Sequence, residues 1–163
     1  MMQAAQLSAL FDAHGARLVL YARQWLDGSA AQDVVQEVFV RLLIEPAAPA
    51  NAKAWLFKAV RNEAISQTRS GIRRHRREQA CGREEWFDPL PGDLIDADAA
   101  REAVQTLPEA QREAIVLRIW GQLTLKEIAA VTGSSISGVF EHYRAGLAAL
   151  RQRMGVICQS EKQ

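Results

Sequence analysis

The sequence predicts an all-α fold: two small helical domains joined by an acidic linker. Three observations carry that expectation. Apolar residues recur at three- and four-residue intervals through nearly the whole chain, without a convincing alternating run. The pattern fails between Cys81 and about Ala97, where Asp88-Pro89-Leu90-Pro91-Gly92-Asp93 has turn and linker chemistry. And 163 residues divided at that point leave two halves whose cores are each small. The expected boundaries are 1–80 for the N-terminal domain, 81–98 for the linker, 99–156 for the C-terminal domain and 157–163 for a tail.

The elements follow in order. Leu7, Leu10 and Phe11, then Leu18, Tyr21, Ala22 and Trp25, place an apolar stripe on a long first helix, ended by Asp27-Gly28-Ser29. Val34, Val35, Val38, Phe39, Leu42 and Leu43 give a second helix with one face to pack. The stretch Glu45 to Asn51 breaks it, because Pro46 and Pro49 lack donors and restrict the residues before them. A third helix packs Leu56, Ala59, Val60 and Ala64, with Ser70-Gly71 a point where it could be interrupted. Beyond the linker, Ala103, Val104 and Leu107 begin a short helix. Pro108 suits the first turn of the next, which carries Ala114, Ile115, Leu117, Arg118 and Trp120 and stops at Gly121.

Composition excludes several classes. The chain is 48% hydrophobic and 24% charged, the balance of a globular protein. No run of about 18 apolar residues is present, so no membrane insertion of its own is expected. The first residues lack a basic stretch followed by an apolar one, and Cys81 and Cys158 have neither ligand spacing nor scaffold density. A reduced, cytoplasmic protein is expected. His14, His75 and His142 lack metal-ligand spacing, and there is no Gly-rich phosphate loop, nucleophile elbow or Cys/His pair. No enzymatic activity, metal or cofactor is expected.

Net charge is only +1, yet the charges are sorted. Residues 51–80 hold eight basic side chains against Glu63 and Glu78, whereas residues 84–102 hold seven acidic ones against Arg101. Such sorting offers a basic surface to a polyanion. Lys58, Arg61, Arg69, Arg73 and Arg76 return to one side of a helix at about 100° per residue, a stripe suited to tracking phosphates. Trp55 and Phe57 stand at its start, where aromatics could stack on unpaired bases, core packing being the alternative for Trp55.

The last third carries the clearest motif. Thr124-Leu125-Lys126-Glu127 is a capping box, in which threonine and glutamate satisfy each other's orphan backbone donors. The short helix it opens ends at Gly133, and Ser134-Ser135 starts another with Ile136, Val139, Tyr143, Leu147 and Leu150 at helical spacing. With small Ala129 where two helices approach, this is a helix-turn-helix arrangement.

Three ordered stretches then resemble one family, the extracytoplasmic-function sigma factors of the sigma-70 family. Asp33-Val34-Val35-Gln36-Glu37-Val38-Phe39-Val40-Arg41 is similar to their core-polymerase-binding helix. Ala54-Trp55-Leu56-Phe57-Lys58-Ala59-Val60-Arg61-Asn62 is similar to their promoter-melting helix. Leu107-Pro108-Glu109-Ala110-Gln111-Arg112-Glu113 with Lys126-Glu127-Ile128-Ala129 resembles their C-terminal helix-turn-helix domain. Together they span most of the chain, from about Leu7 to Arg153.

The resemblance implies a promoter-specificity factor that binds core RNA polymerase, recognises the minus-ten and minus-thirty-five elements and aids melting. Asp33, Gln36, Glu37 and Arg41 would face the beta-prime clamp helices, and the C-terminal domain the beta flap. Asn51, Lys53, Trp55, Lys58, Arg61, Asn62, Arg69 and Arg73 would serve the minus-ten element. Lys126, Ser135, Ser137, Phe140, Glu141 and Arg144 would serve the minus-thirty-five element. An anti-sigma factor is an implied partner. The chain departs from the family at Ser66, where aspartate is usual, at Gly138, where threonine is typical, and at Phe140, Glu141 and His142, where basic or small polar residues are typical. Phe140 and Glu141, closer to protein-contact than phosphate-contact residues, motivate the alternative of a sigma mimic that binds an anti-sigma factor without engaging promoters.

Overall fold

The computed structural model describes the backbone of residues 4–75 and 102–160, and side chains over 4–70 and 102–155. The acidic linker, Cys81 and Arg76 lie outside the described residues, as do the side chains of Arg73 and Cys158. Among the described residues there is no strand. The helices are α1 (Ala4–Ala22), α2 (Gly28–Ile44), α3 (Ala52–His75), α4 (Glu109–Ile119), α5 (Leu125–Thr132) and α6 (Ile136–Ser160). A helical turn over residues 102–105 precedes α4. Helices α1–α3 belong to one compact unit, and residues 102–129 with α6 to a second.

In the first unit the three helices pack pairwise on one another. Leu18 and Tyr21 from α1, Val34, Val38 and Leu42 from α2, and Leu56, Phe57 and Val60 from α3 are buried almost completely. The aromatic rings order this core. Tyr21 meets Trp25 edge-on at 5.2 Å and Phe57 at 5.6 Å, and Phe11 meets Phe39 at 5.1 Å. Such contacts add about 0.5–1.5 kcal/mol beyond area burial. Phe57 is therefore a core residue and not available to stack on a base, which corrects the stacking role the sequence suggested for it.

Two helix boundaries differ from the sequence reading. Helix α1 ends at Ala22, and Trp25 sits in the turn that follows, where Leu26 donates to the Ala22 carbonyl at 3.1 Å. Asp27 does not terminate α1; it opens α2, its Oδ1 accepting from the Ala30 amide at 2.8 Å. A carboxylate satisfying an orphan amide outweighs the turn propensity of Asp27-Gly28-Ser29. Helix α3 also runs on through Ser70-Gly71 to His75. The Ser70 hydroxyl donates to the Ser66 carbonyl at 2.6 Å, so it bonds back within the helix. Thr68 likewise donates to the Ala64 carbonyl at 2.9 Å and reaches the Trp25 carbonyl at 3.3 Å, fastening α3 to that turn.

In the second unit α4 packs along α6. Gly146 permits the approach: a Cβ there would stand 3.0 Å from Ile115 Cγ1 and 3.4 Å from the Gln111 carbonyl. Pro108 is the N-cap of α4 at ψ 144°, one residue before the helical turn that the sequence assigned it. The α4–α5 connection is tightly held. Arg118 donates to the Leu123 carbonyl at 2.8 Å, and Leu123, fully buried, donates to the Leu117 carbonyl at 3.1 Å. The capping box of α5 is formed in both directions: Thr124 N–H to Glu127 Oε2 at 2.7 Å, and Glu127 N–H to Thr124 Oγ1 at 3.2 Å. Gly133 ends α5 at φ 73°, in the left-handed region.

Candidate functional site

Most of the residues singled out from the sequence fall on the exposed side of a helix, opposite its packed stripe. On α2 the buried residues are Ala31, Val34, Val35, Val38, Phe39 and Leu42. Asp33, Gln36 and Glu37 are exposed together on the other side, as spacings of three and four require. Val40 and Ile44, 59% and 68% exposed, continue the same line. The sequence reading missed them and placed Leu43, which is 40% exposed, on the packed face. Their positions seven and eleven residues after Asp33 were the signal that could have found them. Arg41 stands apart from that line. Its Nη2 lies 3.4 Å from Glu63 Oε2, tying α2 to α3 across a partly buried seam.

On α3 the packed residues Leu56, Phe57, Val60 and Ala64 leave the opposite side to Lys58, Asn62, Ser66 and Arg69, all exposed. Half-buried Trp55 stands at the head of that line, which runs about 21 Å along the helix axis. Arg61 is half-buried at its flank, and Arg73 continues the helix beyond it. Asn51 caps α3, its Oδ1 accepting from the Ala54 amide at 3.0 Å, so its side-chain carbonyl has a structural job before any ligand arrives.

Packing adds one feature that no local pattern announces. Half-buried His14 on α1 lies within the field of Lys53, next to the start of α3, and of Arg17 on its own helix. Burial first, then the positive charges of Lys53 and Arg17, hold its imidazole below the ordinary histidine range. His14 and Lys53 are 39 positions apart in the chain, so only the tertiary fold brings this positive corner together.

In the second unit Ser135 caps α6 by accepting from the Gly138 amide at 3.0 Å, and its hydroxyl lies 3.2 Å from that of Ser137. Ser137, Phe140, Glu141 and Arg144 are exposed along the first turns of α6, and Lys126 is exposed on α5. Phe140 keeps 47% of its surface in solvent, and Ile136, one turn earlier, 50%. Glu141 and Arg144 pair with each other, Nη2 to Oε2 at 3.1 Å. This arrangement gives α6 a small mixed surface of hydroxyl, ring and ion pair, suited in width to a major groove. Among the described residues no group of three or more His, Cys, Asp and Glu could hold a metal ion, and no helix is long and apolar enough to cross a membrane.

Comparison with known proteins gives two matching family models. Residues 10–78 match the family model for sigma-70 region 2, and residues 97–150 match that for sigma-70 region 4. The RNA polymerase sigma factor RpoE of Cereibacter sphaeroides, of the extracytoplasmic-function class, is 32% identical over 133 residues, covering 76% of this chain and 70% of that protein. SigL of Mycobacterium tuberculosis, of the same class, is 41% identical over 73 residues, 42% of this chain and 41% of SigL. In fold, the sigma factor RpoE of Bartonella quintana, solved with the anti-sigma factor NepR, superposes with a TM-score of 0.75 at 24% identity. That match covers 91% of this chain and 96% of the other. The chain belongs to the extracytoplasmic-function RNA polymerase sigma factors. It is a promoter-specificity factor, acting with RNA polymerase on promoter DNA to initiate transcription.

Proposed function

We propose a division of labour among the three exposed faces. The α2 face of Asp33, Gln36 and Glu37, extended by Val40 and Ile44, docks on the clamp helices of core polymerase, with Arg41 steadying α2 on α3. Trp55, Lys58, Arg61, Asn62, Arg69 and Arg73, with Asn51 and Lys53 at the head of α3, hold the minus-ten strand. The basic residues follow its phosphates while Trp55 and Asn62 meet unstacked bases. Extracting a base costs a few kcal/mol, least where the duplex opens easily, so selection and melting are one event. Lys126, Ser135, Ser137, Phe140, Glu141 and Arg144 form the minus-thirty-five surface, and their unit meets the beta flap.

The observation that carries this reading is the exposed line of Lys58, Asn62 and Arg69, set by the fold opposite the buried stripe of α3. A structural helix needs no such ordered row, whereas a strand of phosphates does. We place the domain boundaries at residues 80 and 99, and the protein in the cytoplasm, where core polymerase works and carries the chemistry of RNA synthesis. An anti-sigma factor is the regulatory partner; the structural relative from Bartonella quintana was solved with one.

Selection of duplex fragments by the protein with and without core polymerase, at fixed salt, tests the reading. A two-part motif recovered only with core supports it. Core binding without a motif identifies a mimic that occupies an anti-sigma factor, a role to which exposed Phe140 and Glu141 are also suited. Failure to bind core refutes both.

A further inference from the structure

Glu141 is the anomaly of the reading surface. A carboxylate facing DNA meets dense negative charge, and on α6 it stands between Ser137 and Arg144 on the exposed side. The structure gives it a cation: Arg144 Nη2 lies 3.1 Å from Glu141 Oε2, with the two side chains 69% and 60% exposed respectively. The pair presents no net charge to the groove. An arginine fork has five N–H donors in one plane, and the contact with Glu141 uses one of its terminal nitrogens. The remaining donors match the two acceptors, O6 and N7, that guanine places in the major groove.

We propose that Glu141 is a positioning residue for Arg144, and that Arg144 reads a guanine in the minus-thirty-five element. This rests on the promoter-binding reading above and deepens it. The competing arrangement has Glu141 accepting directly from a cytosine amino group. That would draw the carboxylate away from Arg144 and leave a bare negative charge among phosphates. Reading through Arg144 keeps the ion pair intact and orients the guanidinium before DNA arrives, so less rotamer freedom is lost on binding. The spacing also fits: Ser137, Phe140, Glu141 and Arg144 occupy one side of α6, and Arg144 stands about 4.5 Å further along the axis than Glu141.

The test compares base preferences of holoenzymes reconstituted with core polymerase and the wild-type, Arg144→Ala, Arg144→Lys, Glu141→Gln and doubly substituted proteins. Duplex fragments are selected from one random library at fixed salt. Wild type is expected to show a guanine column in the minus-thirty-five motif. Arg144→Ala should cut that preference about tenfold to a hundredfold, and Arg144→Lys, which keeps the charge without the fork, should not restore it. Glu141→Gln should relax the same column about two- to fivefold and leave the others unchanged. The double substitution should be no worse than Arg144→Ala, and thermal melting should show every variant folded.

A change at a different column in Glu141→Gln overturns the proposal, because Glu141 then reads its own base. Uniform weakening by Arg144→Ala with a shallower salt dependence also overturns it, because Arg144 then contacts a phosphate. An unchanged guanine column in every variant does the same. A wild-type protein that recovers no two-part motif with core refutes the promoter reading itself, an outcome separate from these.

Discussion

Phe57 and Trp55 are two residues apart on α3 and chemically alike, yet the fold buries the first and leaves the second half-exposed. Phe57 is 1% exposed, with its ring 5.6 Å from that of Tyr21, itself fully buried. Replacing it by alanine removes about 2–3 kcal/mol of transfer free energy. The cavity left among side chains with little room to relax brings the total to about 3–5 kcal/mol. A domain of this size has about 5–15 kcal/mol of stability, so the loss is a large share. Hydrogen exchange read by peptide mass spectrometry reports it locally. Amides of α1–α3 should exchange about a hundredfold to several thousandfold faster, while those of α4 keep their protection. Trp55→Ala should change protection little and weaken promoter opening instead. Normal protection in Phe57→Ala together with lost promoter opening would refute the reasoning, because the ring would then act on DNA rather than in the core.

Further outcomes follow from individual contacts. Thr124→Ala removes one half of the capping box and should destabilise the second unit by about 1 kcal/mol, read as a lower melting midpoint. Gly121→Ala should cost more, about 1–3 kcal/mol, because its Cβ would stand 2.6 Å from the Leu117 carbonyl oxygen and 2.8 Å from Leu123 Cδ1. His14 is held below its ordinary value of 6.5 by burial, Lys53 and Arg17, so the unfolded chain takes up its proton first. Stability should be unaffected well above that value. It should fall as pH drops below it, down to the lower folded value, and denaturant titrations of His14→Gln should lose that component. Val40→Ser should weaken core-polymerase binding about fivefold with the melting midpoint unchanged, since the side chain is 59% exposed.

Much of the architecture was legible because helical periodicity and capping are local. The capping box at Thr124 and the glycine stop at Gly133 each involve residues a few positions apart, and both form as their spacing requires. The misreadings arose where two local rules competed. Asp27 could end one helix or cap the next, and the free amide of Ala30 decided it. Ser70-Gly71 lowers helix propensity, but the serine hydroxyl bonds back to Ser66 and the helix continues.

What the sequence by itself determined is the helical class, the helix-turn-helix and the placement of Lys58 and Arg69 on the exposed side of α3, all consequences of a period near 3.6 residues. Only the tertiary structure decided that Phe57 is buried, that Val40 and Ile44 are left in solvent and that Arg41 pairs with Glu63. It also brought His14 under the charge of Lys53. Burial and charge at those positions depend on the distance to a different helix, and no spacing along one helix specifies that distance.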